Sequence, residues 1–79
     1  MKVLHLVRPE SGPWEEAVAA HQSAAGDRVI VARWRDGTDL RIACDVVSEI
    51  RGWRPAPVAT LTYDDLLDLL FQADQVYCW

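Results

Sequence analysis

The residues of this sequence that could carry out chemistry are two cysteines, two histidines and a group of carboxylates. Cys78 is the better candidate for a reactive thiol, because it lies in the apolar segment QVYCW (75–79), which we predict to be a strand. Open α/β sheets bind ligands at the carboxyl ends of their strands. A thiolate also needs a nearby positive charge or a helix amino terminus, and the sequence shows no adjacent base. Core packing and sulfur chemistry are therefore the two interpretations of Cys78.

The other candidate side chains have structural explanations. We predict that Cys44 lies on the apolar face of a helix, His5 in a buried strand and His21 on the inner face of a helix. Neither histidine has a further ligand at metal-binding spacing, so we expect no metal site and no cofactor. The carboxylates crowd the start of one predicted helix, where capping and solvent exposure explain them better than acid–base catalysis: Asp64, Asp65 and Asp68.

Length and composition narrow the class of protein. The 79 residues predict one α/β domain over 1–79, and a hydrophobic content of 51% excludes a disordered chain. The net charge of −4 with scattered basic residues indicates no direct contact with nucleic acid. No segment approaches the length of a membrane span, so we expect a cytoplasmic protein without membrane contact, and its cysteines as free thiols.

Strand and helix signals alternate along the chain. The apolar run KVLHLV (2–7) predicts a central strand, and a Pro-capped helix with Gly26 beyond its end follows it. We predict strands at 2–7, 28–34, 58–61 and 75–79, and helices at 13–25, 38–51 and 63–73. The inner face of the first helix is predicted to hold Trp14, Ala17, Val18, His21 and Ala25.

The order of these elements predicts the fold class. Alternating strands and helices favour a parallel sheet, because parallel neighbours need crossover connections. We therefore expect a small three-layer, Rossmann-like or flavodoxin-like parallel sheet of about four strands with three helices. The helix at 63–73 has the clearest start, a capping box of Thr62 with Asp65 and a hydrophobic staple of Leu61 with Leu66.

Aromatic residues exceed what so small a core needs. Tryptophan and tyrosine are enriched at protein interfaces, so part of this set is expected to face a partner. The interface candidates are Trp79, Tyr77 and Trp53.

Four segments carry a likeness to a known family: VLHLV at the first strand, SGPW at the first helix, GDRVIV followed by DG, and the ending YDDLLDLLFQADQVYCW. In their order and in the final tryptophan they resemble the DsrE-like sulfur-relay family, in particular its DsrH/TusB branch. The sequence is shorter than the family pattern by about one strand–helix unit between Gly52 and Val58, and its first helix has no cysteine.

The resemblance implies a function. Proteins of this kind are subunits of persulfide-transfer complexes that serve transfer-RNA 2-thiouridine formation or sulfur oxidation. It implies sister DsrE-like subunits as partners in a hetero-oligomer. Some members of the branch accept sulfur on a cysteine early in the chain, a position without a counterpart in this sequence, and others are structural subunits. Cys78 is our own candidate for a sulfur carrier in this chain. The alternative hypothesis is a stand-alone α/β interaction or regulatory module that self-associates without sulfur chemistry. An independent enzyme is the least supported class, because no catalytic constellation is present.

Overall fold

The computed structural model describes residues 1–9, 14–35, 41–53 and 60–79, with only the backbone described for 14–16. Five strands and two helices follow one another along the chain. They are β1 (Lys2–Val7), α1 (Trp14–Ala24), β2 (Arg28–Trp34), β3 (Ile42–Ile50), β4 (Thr60–Thr62), α2 (Tyr63–Gln72) and β5 (Gln75–Cys78). The residue Val58, predicted to begin the third strand, lies outside the described residues.

The strands form one mixed sheet in the order β4-β3-β2-β1-β5. The central strand β1 is parallel to both β2 and β5, whereas β3 is antiparallel to β2 and β4 is antiparallel to β3. The prediction of an all-parallel sheet of about four strands with three helices is therefore wrong. The two parallel pairs both involve β1. The helix α1 connects β1 to β2, and β5 reaches the other side of β1 after α2, which follows β4 at the opposite edge.

The helix predicted over 38–51 is wrong, because Ile42–Ile50 form the longest strand of the sheet, β3. The apolar residues of this segment fit a helical spacing, but it is also rich in β-branched side chains, which favour strands. Its backbone pairs with β2 from Val29 opposite Ile50 to Trp34 opposite Cys44. These long-range hydrogen bonds outweigh the weak local preference for a helix.

Gly52, which lies just beyond the end of the predicted helix, instead follows the strand. Arg51 and Gly52 both have positive φ, 66° and 41°, so the chain turns sharply after β3. Left-handed backbone suits glycine and is costly for arginine, which identifies this turn as the strained point of the described chain.

The sheet has a hydrophobic core on each face. Leu4 and Leu6 of β1 pack on the α2 side with Leu66 and Leu69 of that helix. Val3 and Val7 point the other way, where Ala19 of α1 covers them. Successive residues of β1 thus serve both faces, which explains why its sequence is apolar throughout.

The end of α1 and the start of α2 have the local structures that the sequence predicts. Gly26, with φ of 95°, ends α1 in a Schellman motif, in which the Gly26 N–H donates to Ser23 C=O and the Asp27 N–H to Gln22 C=O. At the start of α2, the Thr62 hydroxyl accepts from the Asp65 N–H, and the Asp65 carboxylate accepts from the Thr62 N–H. The capping box is confirmed.

Candidate functional site

β5 forms one edge of the sheet, and half of its main-chain groups face away from β1. The Trp79 N–H donates to Leu6 C=O at 2.8 Å, and the Arg8 N–H donates to Trp79 C=O at 3.3 Å. The inward groups of this segment therefore belong to odd-numbered residues, since main-chain groups alternate sides along a strand. It follows that the N–H and C=O groups of Val76 and Cys78 point away from β1, to an edge where no strand of the described residues pairs with them. We call this side of β5 the open edge.

A buried histidine anchors β5 to the rest of the fold. His5, in the centre of β1, is fully buried, and its Nδ1 accepts a 2.9 Å hydrogen bond from the Trp79 indole Nε1. An indole nitrogen can only donate, so His5 carries its proton on Nε2 and donates to Gln22 Oε1 at 2.6 Å. The Tyr77 ring stacks on the imidazole with 5.1 Å between the ring centroids. The prediction that His5 is a packing residue with satisfied nitrogens is confirmed.

At each end of β5 a charged residue makes hydrogen bonds between β5 and the β1 segment, and the two residues have opposite charges. Before the strand, Asp74 accepts from the Lys2 N–H through Oδ2 at 2.8 Å, and its own N–H donates to Lys2 C=O at 2.8 Å. After the strand, Arg8 Nε donates to Trp79 C=O at 3.0 Å. The edge thus has a carboxylate at one end and a guanidinium at the other.

The strand between these charges is uncharged and partly apolar. Its sequence is QVYC, with Val76 40% and Tyr77 37% exposed. Natural edge strands are commonly protected from pairing with other chains by lysine, proline or a bulge, or by being very short. The opposite edge, β4, has three residues. β5 has four residues and, like β4, no charged residue or proline, so neither edge strand has these two protections within its own residues.

The two cysteines lie in opposite environments. Cys78 is exposed, and its register partner Leu6 points toward the α2 side, so the thiol faces that side as well. Cys44 is buried between β2 and β4. Burial and, to a smaller extent, the neighbouring Asp45 carboxylate raise the pKa of the Cys44 thiol to about 11. Cys44 is therefore a protonated core residue at neutral pH, and Cys78 is the thiol that solvent reaches.

The outer surface of α2 carries an apolar row beside its carboxylates. Tyr63, Leu67 and Phe71 are spaced four residues apart and are 57%, 50% and 81% exposed. We call these three residues the α2 stripe. Residues at this spacing lie on one side of a helix, so the stripe is continuous. Among the described helices none has the length and apolar character needed to cross a membrane.

The three interface candidates differ in position. Tyr77 is partly exposed, and Trp79 is half-buried with its indole nitrogen bonded to His5. Trp53 is 5% exposed and packs in the core on the α2 side, with Lys2 Nζ 5.9 Å from its ring centroid. The Trp53 side chain is therefore part of the core. Of the three candidates, Tyr77 in β5 and Trp79 directly after it lie beside Cys78.

A shallow groove lies on the α1 side of the sheet, beside that helix. It has a volume of about 370 Å³ and is lined by small and apolar residues of α1, β2 and β3, with Arg33 and Ser48 as its polar members. Among the described residues no three His, Cys, Asp or Glu side chains converge on a position where they could hold a metal ion. The residues that line the groove therefore include no set of catalytic or metal-ligating groups.

Sequence reasoning missed the partnership of His5 with Gln22 and Trp79. His21, predicted to face the core, is exposed, and Gln22 beside it points inward to His5. The signal in the sequence was His5 itself, a polar residue at the centre of an apolar strand, because a buried imidazole needs hydrogen-bond partners for both ring nitrogens. Finding those partners required knowing that the last strand lies beside the first.

Comparison with known proteins found no match. No family model matches the sequence, and neither a curated protein nor a solved structure does. Function must therefore be argued from the chemistry of β5 and its neighbours.

Proposed function

We propose that this protein is a small subunit of a sulfur-relay assembly, in which Cys78 accepts the outer sulfur of a persulfide and passes it on. The observation that supports the proposal is the position of this thiol, exposed at the end of an edge strand, while the Cys44 thiol is buried. A relay needs a thiol that two successive partners can approach. The likeness of the segment that includes α2 and β5 to the DsrH/TusB branch points to the same chemistry.

The proposed reaction is a thiol exchange. The Cys78 thiolate attacks the outer sulfur of a donor persulfide, R–S–SH, and forms a new sulfur–sulfur bond. The bond between the two donor sulfurs breaks, and the donor leaves as the thiolate R–S⁻. Cys78 then carries the persulfide, Cys78–S–SH. The next acceptor thiolate repeats the exchange, so the relay consumes no external oxidant or reductant.

The docking surface in the proposed assembly is the α2 stripe, on the side of the sheet that the Cys78 thiol faces. It offers apolar side chains that suit a protein interface. Sister α/β subunits are the proposed partners. We place the assembly in the cytoplasm, where reducing conditions keep cysteines as thiols. The chain itself serves as a carrier, and the proposal assigns it no independent enzymatic activity.

Intact-mass analysis after incubation with a persulfide donor tests the carrier role. We expect the native chain and the Cys44→Ser variant to gain one sulfur atom that a reductant removes, and the Cys78→Ser variant to gain none. The Cys44→Ser variant is the matched control, because it has the same number of thiols as Cys78→Ser. If the native chain gains no sulfur, or if Cys78→Ser still gains it, Cys78 is excluded as the sulfur carrier.

Native mass spectrometry of the protein purified from its own host tests the assembly. We expect to recover it with other small α/β chains. Recovery in such a complex without sulfur on Cys78 would instead make it a scaffold whose partners carry the sulfur. Recovery alone, with no sulfur uptake, would contradict the relay proposal as a whole.

A further inference from the structure

The open edge of β5 has the features of a self-complementary surface. The N–H and C=O groups of Val76 and Cys78 point outward, and the strand that carries them has no charged residue. Asp74 lies at one end of this edge and Arg8 at the other. A surface with opposite charges at its two ends complements a copy of itself that is turned through a twofold axis.

We propose that a second copy of this chain binds to this edge. The two β5 strands pair antiparallel about a twofold axis that passes between the two Tyr77 residues, and the two five-stranded sheets become one continuous sheet. The pairing uses β5 alone and involves no reaction of a thiol, so it is independent of the sulfur-relay proposal.

The direction of the main-chain groups selects this register. Antiparallel hydrogen bonds form only between residues whose groups point at each other. With the axis at Tyr77, Val76 of each copy lies opposite Cys78 of the other, and each such pair exchanges both of its N–H···O=C bonds. With the axis at Val76 instead, Cys78 would lie opposite Asp74, whose N–H already donates to Lys2 C=O. The axis at Tyr77 therefore satisfies more main-chain groups.

The charges agree with the same arrangement. Antiparallel pairing places Asp74 of one copy at the end of the seam where Arg8 of the second copy lies, about 10 Å away across two strand spacings. Arg8 and Asp74 keep their hydrogen bonds within each copy, so the attraction acts between opposite charges at this distance, and it acts twice because of the symmetry. A parallel pairing would instead bring like charges to the same end, which is unfavourable.

Cysteine cross-linking in a Cys78→Ser background tests the register. At the proposed axis the two Tyr77 residues form a non-hydrogen-bonded pair with a Cα separation of about 4.5 Å, within the range of a disulfide. We expect Tyr77→Cys to form a disulfide-linked dimer under mild oxidation. Val76→Cys is the control, since the two copies of residue 76 are offset along the seam. Rapid cross-linking by Val76→Cys, with none by Tyr77→Cys, would overturn the register.

Sedimentation equilibrium over a range of concentrations tests the dimer itself. We expect a concentration-dependent dimer whose dissociation constant rises by about tenfold or more in Val76→Lys, since an edge lysine opposes strand pairing. Val47→Lys is the matched control, because Val47 is an exposed valine of β3, which β2 and β1 separate from β5, and we expect about the native constant. A monomer at all concentrations, or an equal effect of both variants, would overturn the proposal and leave the sulfur-relay proposal untouched.

Discussion

The Trp79 indole donates a 2.9 Å hydrogen bond to Nδ1 of His5, a residue 74 positions earlier in the chain. The same imidazole donates through Nε2 to Gln22 of α1 at 2.6 Å. One fully buried ring therefore connects the last strand, the central strand and the first helix. The edge that carries Cys78 depends on this connection for its position, because Tyr77 also stacks on the ring.

We expect Trp79→Phe to destabilise the protein. The substitution keeps an aromatic ring but removes the only donor to Nδ1 of His5 that the structure describes, so a buried acceptor loses its hydrogen bond. The expected loss in the free energy of unfolding is roughly 1–3 kcal/mol, measured by denaturant titration. Tyr77→Phe is the control, because its hydroxyl bonds to the exposed Gln75 and should matter by less than about 0.5 kcal/mol. An equal loss in both variants would show that the hydrogen bond from Trp79 to His5 does not contribute to the free energy of unfolding.

Gln22→Ala tests the other side of the same ring. The variant leaves the buried Nε2–H of His5 without the acceptor that it has in the native chain, and we expect a loss of roughly 1–3 kcal/mol. The better helix propensity of alanine offsets a small part of this loss. Gln72→Ala, at an exposed position near the end of α2, should change stability by less than about 0.5 kcal/mol. If Gln22→Ala is as neutral as Gln72→Ala, the hydrogen bond is not important to the fold.

Local signals predicted the elements whose sequence and environment agree. The strand at 2–7 and the helix after Thr62 were identified because an apolar run and a capping box each specify one local structure. The strand at 28–34 was identified for the same reason as the first, and the short strand at the end of the chain is also present. These elements place Tyr77 and Cys78 together on an edge.

Long-range pairing decided what local signals could not. The segment at 42–50 satisfies both a helical spacing and a β-branched composition, and only the antiparallel pairing with β2 selects the strand. The face of α1 was misjudged for a related reason. In an alanine-rich helix several faces look alike, so Ala17 and His21 are exposed while Ala19 is buried. The sheet order follows from contacts far apart in sequence, which composition does not reveal.

Thr62→Ala should weaken the start of α2. The hydroxyl accepts from the Asp65 N–H at 3.2 Å, and its loss leaves one end of the capping box open. We expect a loss of about 1 kcal/mol in the free energy of unfolding. Asp68→Asn, on the exposed middle of the same helix, serves as the control and should change stability by less than about 0.5 kcal/mol. Equal stability of Thr62→Ala and the native chain would contradict a capping function for Thr62.

The two thiols should differ in their reaction with an alkylating reagent at neutral pH. Cys78 is exposed and should react in the folded protein, whereas Cys44 is buried and protonated and should react only after unfolding. Mass spectrometry of digested, alkylated protein measures both sites separately. Modification of Cys44 at the same rate as Cys78 under native conditions would contradict the burial of Cys44.

The raised pKa of Cys44 also predicts how stability depends on pH. The thiol has an ordinary pKa of 9.0 and a pKa of about 11 in the folded protein, so the unfolded chain releases this proton first as the pH rises. The contribution of the Cys44 thiol to the free energy of unfolding is therefore fully present below pH 9. It is lost progressively between about pH 9 and 11, by roughly 2–3 kcal/mol in all. Cys44→Ala lacks this thiol, and its free energy of unfolding should fall less steeply over the same range. If the free energy of unfolding of the native chain and of Cys44→Ala depends on pH in the same way, burial does not raise the pKa of Cys44.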